Sequence, residues 1–278
     1  MSRPPGVVVI TGSSSGIGAE AAVQLGRHGW TVCLLARRAE ELESVAARVR
    51  AAQDTGAGGT VHAYPVDLTD DADTAAVVEQ LLADHPRIDV LVNNAARSIR
   101  RPIRESLDRL HDYERTIAIN YIGAVRLTLA LMPRFLDQAR RGDGGGHVVF
   151  SSTMSTQVPI PLFSAYLGSK SAAESFARSL LAEHGHEGVT TTIVHFPMVR
   201  TEMSSATSIY AAMPMMTADK AGRWIVKAVV DRPTRVTSLG GAAAQAGMSV
   251  LPGVLTKVVT PQIRRMDKRL ARRTRPDS

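Results

Sequence analysis

Short apolar runs alternate along this chain with longer segments in which apolar residues recur every three or four positions. Runs that are apolar nearly throughout are typical of parallel strands covered on both faces, and the longer segments are typical of helices. We predict strands at Val7–Thr11, Thr31–Ala36, Thr60–Val66, Val90–Asn93, His147–Ser151, Thr191–His195 and, with a weaker pattern, Arg235–Ser238. We predict helices at Gly16–His28, Glu40–Ala52, Asp70–Asp84, Leu107–Ala139, Ala165–Glu183 and Thr217–Asp231. This alternation predicts an α/β fold with one doubly wound parallel sheet, a Rossmann domain.

The domain organisation follows from the length and the lack of an interior linker or repeat. The chain has 278 residues, enough for one α/β domain with additions. We expect a Rossmann domain over residues 1–240, with a loop at about 198–216, and a basic C-terminal extension over residues 241–278. The loop region holds Met198, Met203, Met213, Met215 and Met216, half of the ten methionines. Because methionine side chains are flexible and apolar, these residues are either plain core or the lining of an adaptable apolar pocket.

The positive charge of the chain is concentrated at its C-terminus. Residues 264–278 contain seven Lys or Arg and two Asp, so they carry 7 − 2 = +5 of the formal net charge of +7. The remaining 263 residues share only +2, and no aromatic residues are interleaved with the basic ones, so we expect no nucleic-acid partner. Ile263, Met266 and Leu270 recur between the basic pairs at helical spacing. The tail is therefore either a solvated end or a peripheral contact with an anionic membrane.

Several other classes of protein are excluded. The single cysteine, Cys33, cannot form an internal disulfide, and its apolar neighbours indicate an inert buried thiol. The apolar run near the N-terminus is too short for a secretory signal, and the uncharged stretch from Val236 to Thr256 is interrupted by glycine and proline. His184-Gly-His186 lacks the carboxylate partners of a metal site, so no metal is expected. We expect a cytoplasmic protein, peripheral to the inner face of a membrane if the tail binds lipid.

A glycine-rich turn joins the first predicted strand to the first predicted helix. Gly12, Gly16 and Gly18 provide the turn, a close backbone approach and helix–strand packing, which are the three features that a dinucleotide pyrophosphate requires. The helix N-terminus then presents free amides to the phosphates. Ser14, Ser15 and Ile17 complete the predicted cofactor-binding turn.

The ends of the following strands carry further candidate cofactor residues. After the second strand, Ala36, Arg37 and Arg38 stand where an NAD-selective fold places a carboxylate, and arginine suits the 2′-phosphate of NADP(H). Asp67 follows the third strand with Leu68, and its carboxylate is a candidate acceptor for the adenine amino group. Asn94 and Ala95 follow the fourth strand and are candidates to line the adenine ribose.

Tyr166 and Lys170 are four residues apart, so on a helix they lie one turn apart on the same face. A nearby ammonium favours the phenolate, which predicts a lowered tyrosine pKa and proton exchange near neutral pH. Ser152, at the end of a strand, offers a hydroxyl to a substrate carbonyl. Asn120 lies inside a predicted helix, where asparagine is unfavourable unless its side chain has a role.

Taken in order, these motifs resemble the classical short-chain dehydrogenases/reductases. The resemblance covers roughly residues 6–235 and rests on Thr11-Gly12-x-x-x-Gly16-x-Gly18, Asn93-Asn94-Ala95, Asn120, Ser152, Tyr166-x-x-x-Lys170 and Pro197-x-x-x-Thr201. More narrowly, Asn-Asn-Ala-Ala-Arg-Ser-Ile-Arg-Arg from position 93, Phe163-Ser-Ala-Tyr and Val199-Arg-Thr are similar to actinobacterial reductases of the fatty-acyl-reductase type.

The resemblance implies a role for each matching residue. Tyr166 would be the general acid, Lys170 would lower its pKa and hold the nicotinamide ribose, and Ser152 would polarise the carbonyl. Asn120 would hold a water of the proton relay. Pro197, Val199 and Thr201 would contact the cofactor, with Thr201 on the carboxamide. Residues 198–216 would form the substrate loop of the catalytic domain, and this position favours an adaptable apolar pocket over plain core for the methionines there.

The sequence departs from the family pattern at three positions. Ala96 and Met198 each replace a usual glycine, and Ser152 lies fourteen residues before Tyr166, one more than usual. Thr153 therefore stays an alternative source of the hydroxyl.

The expected function is NADP(H)-dependent interconversion of a ketone or aldehyde and an alcohol. The substrate is expected to be a small hydrophobic molecule with an acyl chain or a steroid-like skeleton. The alternative is a non-catalytic Rossmann protein that senses the state of the cofactor. The resemblance also implies a homodimer or homotetramer assembled through the Leu107–Ala139 and Ala165–Glu183 helices.

Overall fold

The computed structural model describes residues 4–53, 58–157, 160–205, 215–250 and 261. The strands are β1 Val7–Thr11, β2 Thr31–Ala36, β3 Val61–Pro65, β4 Val90–Asn93, β5 His147–Thr153, β6 Thr190–Phe196, β7 Val199–Arg200, β8 Met216–Thr217 and β9 Arg235–Val236. The helices are α1 Gly16–Arg27, α2 Ala39–Gln53, α3 Asp71–Asp84, α4 Leu110–Ile117, α5 Gly123–Arg140, α6 Ser164–His184, α7 Glu202–Ser205, α8 Ala218–Asp231 and α9 Leu239–Val250.

Seven strands form one parallel sheet in the order β3-β2-β1-β4-β5-β6-β9. The predicted doubly wound fold is therefore confirmed. The chain reverses its direction of travel across the sheet between β1 and β4, and ligands of such sheets bind outside the carboxyl ends of the strands at this point. The two remaining strands, β7 and β8, pair with each other beyond the end of β6.

The sheet is covered by helices on both faces, which explains why its strands read as continuous apolar runs. Val8 and Ile10 pack with α1, α2 and α8, whereas Val9 between them packs with α3, α5 and α6. All three side chains are fully buried. Alternate residues of one strand therefore belong to different halves of the core.

The long segment predicted as one helix at Leu107–Ala139 is instead interrupted. Helices α4 and α5 are joined by a wide turn, Ala118–Ile122, in which the amide of Gly123 bonds to the carbonyl of Ala118, five residues earlier. Asn120 lies in this turn, so the residue that was unfavourable in a regular helix marks the irregularity. Within the part of the chain that the structure describes, Leu110–Arg140 is also long and apolar enough to cross a membrane, but 44% of its most apolar stretch is buried inside the fold. A core helix meets the same criterion.

Helix α9 crosses the predicted domain boundary at 240/241. Its Gly241 lies close to Met154, since a Cβ at this glycine would be 3.1 Å from the Met154 sulfur. The first part of the C-terminal extension therefore packs beside the end of β5. The basic residues 264–275 lie outside the described residues, as do residues 206–214 of the predicted substrate loop. Membrane contact through the tail stays a prediction.

Candidate active site

The glycine-rich turn leaves space for a ligand above the N-terminus of α1. Gly12 and Gly16 have φ angles of +63° and +57°, a region that side chains disfavour. A Cβ at Gly12 would lie 2.7 Å from the Cα of Ala95, and one at Gly18 would lie 2.5 Å from the Gly12 carbonyl oxygen. The side chain of the N-cap residue, Ser15, makes no capping hydrogen bond to α1. The turn therefore fits a pyrophosphate, which would accept from the free amides of the first helical turn.

A cavity of about 270 Å³ adjoins this turn on the side of α2. Ser14 and Ser15 line it from the glycine-rich turn, and Ser44 and Arg48 line it from α2. The Arg48 guanidinium donates to Glu20 at 2.6 Å. The cavity thus offers hydroxyl donors next to the place where the phosphates would lie.

The end of β2 carries no carboxylate, and its two arginines have different surroundings. The Arg37 side chain is 73% exposed and lies 3.8 Å from the carboxylate of Asp67. Arg38 is engaged more closely, at 3.0 Å from Glu41 and 3.9 Å from Glu202. Arg37 is therefore the arginine that is more available to a 2′-phosphate.

Asp67 and Leu68 follow β3 and have different surroundings. The Asp67 Oδ1 atom accepts from the Thr69 amide at 2.9 Å and from the Thr69 hydroxyl at 2.7 Å. Burial acts to raise the pKa of Asp67, but these hydrogen bonds and the Arg37 charge outweigh it and lower the pKa. The Leu68 side chain belongs to the core, and its carbonyl accepts from Arg126. Only its backbone amide remains for a ligand.

Asn94 and Ala95 hold the glycine-rich turn to the neighbouring strands. The Asn94 Nδ2 atom donates to the carbonyls of Thr11 and Gly12 at 3.1 and 3.2 Å, and its Oδ1 accepts from Ser151 at 3.2 Å. The amides of Asn94 and Ala95 both donate to the Thr11 hydroxyl. Because the Asn94 side chain is used within the protein, a ribose would meet its backbone.

The Pro197–Thr201 segment approaches the glycine-rich turn from β6. Val199 is buried on β7, and the Met198 carbonyl accepts from the Met216 amide at 2.9 Å. A Cβ at Gly16 would lie 3.2 Å from the Thr201 methyl group. The structure thus places the segment beside the turn, where both can contact one dinucleotide.

Tyr166 and Lys170 lie one turn apart near the start of α6. Lys170 is buried, and its Nζ donates to the Ser151 carbonyl at 2.8 Å and lies 6.0 Å from the centre of the Tyr166 ring. Burial lowers the pKa of Lys170 to about 8 and raises the pKa of Tyr166 to about 12. The expectation of a lowered Tyr166 pKa is therefore wrong for the chain on its own, because burial penalises the phenolate.

The Asn120 side chain connects the β4–α4 loop to the helix of Tyr166. Its Oδ1 accepts from the Arg97 amide at 2.7 Å, and its Nδ2 donates to the Arg97 carbonyl and to the Ser169 hydroxyl, both at 2.9 Å. The Ser169 hydroxyl in turn donates to the Tyr166 carbonyl at 2.7 Å. Since the amide group is engaged with the protein, a relay water at Asn120 would bind its backbone.

The structure separates Ser152 from Thr153. Strand β5 runs two residues further than predicted, so these neighbours point to opposite faces of the sheet. The buried Ser152 hydroxyl donates to Glu174 of α6. The half-buried Thr153 hydroxyl accepts from the Ser155 amide at 3.2 Å, and within the described residues nothing accepts its proton. These contacts favour Thr153, thirteen residues before Tyr166, over Ser152, the choice made from the sequence, as the candidate polarising hydroxyl.

Sequence reasoning missed Glu174 and its partners. Glu174 lies four residues after Lys170, so the Tyr-x-x-x-Lys-x-x-x-Glu spacing was a signal for one shared helix face. His195 and Thr156 both approach its carboxylate, from β6 and from the turn after β5. The described part of the chain contains no cluster of three or more His, Cys, Asp or Glu side chains that could hold a metal.

Comparisons with known proteins agree with this geometry. An oxidoreductase of Mycobacterium tuberculosis described as uncharacterized is 45% identical over 252 residues, which is 91% of this chain and 72% of the relative. A fatty acyl-CoA reductase of the same organism is 41% identical over 246 residues, 88% of this chain and 80% of the relative. Among solved structures, a short-chain dehydrogenase from Sphingobium yanoikuyae in complex with NADPH has a TM-score of 0.73 and 27% identity, covering 92% of this chain and 95% of the other. The family model described as short chain dehydrogenase matches residues 6–225, and the chain belongs to the short-chain dehydrogenase family of oxidoreductases.

Proposed function

We propose that this protein is an NADP(H)-dependent reductase of an apolar carbonyl substrate, with a long acyl chain as the preferred class. The observation that carries the proposal is the placement of Tyr166 and Lys170 on α6, with the Lys170 ammonium against the end of β5. Thr153 ends that strand, and Asn94 ties the same strand to the glycine-rich turn.

The residues present fit a dinucleotide. The glycine-rich turn would hold the pyrophosphate on the amides of α1, and the Pro197–Thr201 segment would contact the nicotinamide end. NADPH supplies the hydride when it is bound. The chain itself supplies the proton: the raised pKa keeps Tyr166 protonated at neutral pH, so its hydroxyl can donate to the carbonyl oxygen. The Thr153 hydroxyl would donate to the same oxygen, and Lys170 would bind the ribose.

The preference for NADP(H) rests on Arg37. Losing one charge-assisted contact costs roughly 1.5–3 kcal/mol, so Arg37→Ala should weaken NADPH binding about 10- to 150-fold. NADH binding should change little. Arg50→Ala is the matched control, because Arg50 is another exposed arginine, on α2, paired with Glu43. Fluorescence titration with both cofactors tests this, and equal affinity of the unchanged protein for NADH and NADPH would refute the preference.

Two observations support an apolar substrate. Helix α9, with the sequence Leu-Gly-Gly-Ala-Ala-Ala-Gln-Ala-Gly-Met-Ser-Val, has no charged residue and lies against Met154, directly after Thr153. The relative named fatty acyl-CoA reductase aligns over most of the chain, including α6. An uncharged helix beside the reacting hydroxyls would exclude water and accept hydrocarbon.

The decisive assay is NADPH oxidation against fatty acyl-CoA thioesters, aldehydes and ketones of graded chain length, with a steroid ketone included. We expect kcat/KM to rise with chain length, since each buried methylene contributes about 0.8 kcal/mol. A faster reaction with the steroid would move the proposal to that substrate class. Cofactor binding without turnover on any carbonyl would favour the rival reading, a cofactor-sensing protein.

We also propose a homodimer or homotetramer. Ile117, Ile122 and Leu129 are large apolar residues along the α4–α5 segment, and each is more than 40% exposed. Exposed apolar residues along consecutive helical elements are typical of a surface covered by another subunit. Light scattering should give a mass of two or four chains, and Leu129→Lys should lower it.

A cytoplasmic location, with membrane contact through the basic tail, is a separate proposal, tested by sedimentation with anionic vesicles.

A further inference from the structure

A buried carboxylate lies behind the proposed catalytic residues. Glu174 is 7% exposed, and one of its oxygens, Oε1, accepts from the Ser152 and Thr156 hydroxyls, the latter at 2.7 Å. The same oxygen lies 3.3 Å from the His195 Nε2 atom. A buried carboxylate is costly unless several donors compensate for its lost hydration, so this arrangement is a specific one.

The contacts of Glu174 join the structural elements on which the proposed reaction depends. Ser152 and Thr156 stand on either side of Thr153, so their hydroxyls tie both ends of the turn that presents it. His195 is the β6 residue directly opposite Ser152 in the sheet and comes two residues before Pro197. Glu174 itself belongs to α6, the helix of the general acid.

We propose that Glu174 is a positioning residue: its carboxylate joins the Thr153 turn to helix α6 and places a negative charge one turn from Lys170. Glu174 touches neither substrate nor cofactor in this scheme. It acts through the residues that contact its carboxylate. This proposal rests on the proposed function only in the experiment that measures turnover.

The electrostatics of the cluster agree with this role. Burial acts to raise the pKa of Glu174, but the hydrogen-bond donors around it outweigh burial and lower the pKa. The carboxylate is therefore charged at neutral pH. Burial lowers the pKa of Lys170 to about 8, and the charge of Glu174 acts in the opposite direction. Removing that charge should make Lys170 lose its proton at lower pH.

The other polar groups that face Glu174 and Lys170 come from α6, from β6 and from β5 with the turn after it. Within α6, the Arg178 guanidinium lies 3.6 Å from the second Glu174 oxygen, and Tyr166 lies on the other side of Lys170. From β6 comes His195. The residues from β5 and its turn contribute hydroxyls and the Ser151 carbonyl. Glu174 is thus the negative group that acts on Lys170 in this cluster.

The central test needs no substrate. The chain has only five lysines, at positions 170, 220, 227, 257 and 268, so the NMR signal of 13Cε-labelled Lys170 can be identified with Lys170→Met and titrated with pH. We expect a midpoint near 8 in the unchanged protein and a lower midpoint in Glu174→Gln. Glu183→Gln removes one exposed carboxylate from the same helix and should leave the midpoint in place. An unchanged midpoint in Glu174→Gln would overturn the electrostatic part of the proposal.

Hydrogen exchange tests the positioning part, again without a substrate. Exchange of the amides at residues 153–157 should accelerate in Glu174→Gln and not in Glu183→Gln. Should Glu174→Gln fail to fold, Ser152→Ala removes one donor to the Glu174 carboxylate and keeps the charge. This variant should accelerate the same exchange and leave the Lys170 midpoint unchanged. Equal exchange in all variants would overturn the joining role.

Measurement of turnover tests whether Glu174 affects the proposed reaction. With a carbonyl that the unchanged protein reduces, Glu174→Gln should lower kcat about 10- to 100-fold, as expected for a misplaced reacting group, with KM for NADPH little changed. The alkaline limb of the kcat–pH profile of Glu174→Gln should move to lower pH, in the same direction as the shift of the Lys170 midpoint. A protein that reduces no carbonyl would refute the proposed function, whereas the NMR and exchange results would still decide the role of Glu174.

Discussion

The assignment of Thr153 rather than Ser152 makes a prediction that separates two adjacent hydroxyls. Thr153→Val keeps the branched side chain and replaces the hydroxyl with a methyl group. That oxygen accepts from the Ser155 amide, which uses a lone pair and leaves the hydroxyl proton available to a carbonyl. Removing one donor to the oxygen that gains charge in the transition state typically costs about 10²- to 10³-fold in kcat, or roughly 2.7–4 kcal/mol.

Ser152→Ala should act mainly on stability. Its hydroxyl is buried and donates to Glu174, which would retain the Thr156 donor after the substitution. A lost hydrogen bond to a buried charged group costs roughly 1–3 kcal/mol of unfolding free energy. We therefore expect a lower melting temperature and a loss of kcat below about tenfold, since the reacting groups remain in place.

Steady-state NADPH oxidation at saturating cofactor measures both variants, with Thr153→Ser as the matched control that retains the hydroxyl. Thr153→Ser should keep most of the activity. If Ser152→Ala loses as much kcat as Thr153→Val while NADPH binding and folding are intact, the assignment is wrong. Full activity of Thr153→Val would refute it equally.

Two further substitutions test the site. Tyr166→Phe removes the general acid, so kcat should fall about 10²- to 10⁴-fold. Titration should give an NADPH affinity close to that of the unchanged protein. Near-normal turnover would contradict the acid role. Gly18→Ala places a methyl group 2.5 Å from the Gly12 carbonyl oxygen, so thermal unfolding should reveal a loss of roughly 1–3 kcal/mol, together with weaker NADPH binding. Gly168→Ala is its control, because no other part of the described chain lies within 4 Å of the added methyl group and a helical alanine is favoured over glycine by about 1 kcal/mol. Equal melting temperatures for the two variants would exclude the packing argument.

Local pattern alone was sufficient for the architecture of this chain. Strands β1, β2 and β4 have the predicted bounds, because a strand buried on both faces must be apolar along its whole length. The glycine spacing likewise predicted the tight turn between β1 and α1, since positive φ angles and close backbone contacts restrict those positions to glycine. The shared helix face of Tyr166 and Lys170 followed from the helical repeat.

Side-chain direction and environment depended on tertiary structure. The sequence placed two hydroxyls at a strand end, but the sheet register and the approach of Glu174, twenty-two residues away, decided which one faces the site. The pKa of Tyr166 depended on burial, which outweighs the effect expected from a lysine one turn away. The partners of Arg37 and Arg38 come from Asp67, Glu41 and Glu202. Residue type and spacing thus determined the backbone path, whereas proton affinity and hydrogen-bond partner depend on atoms brought together from remote parts of the chain.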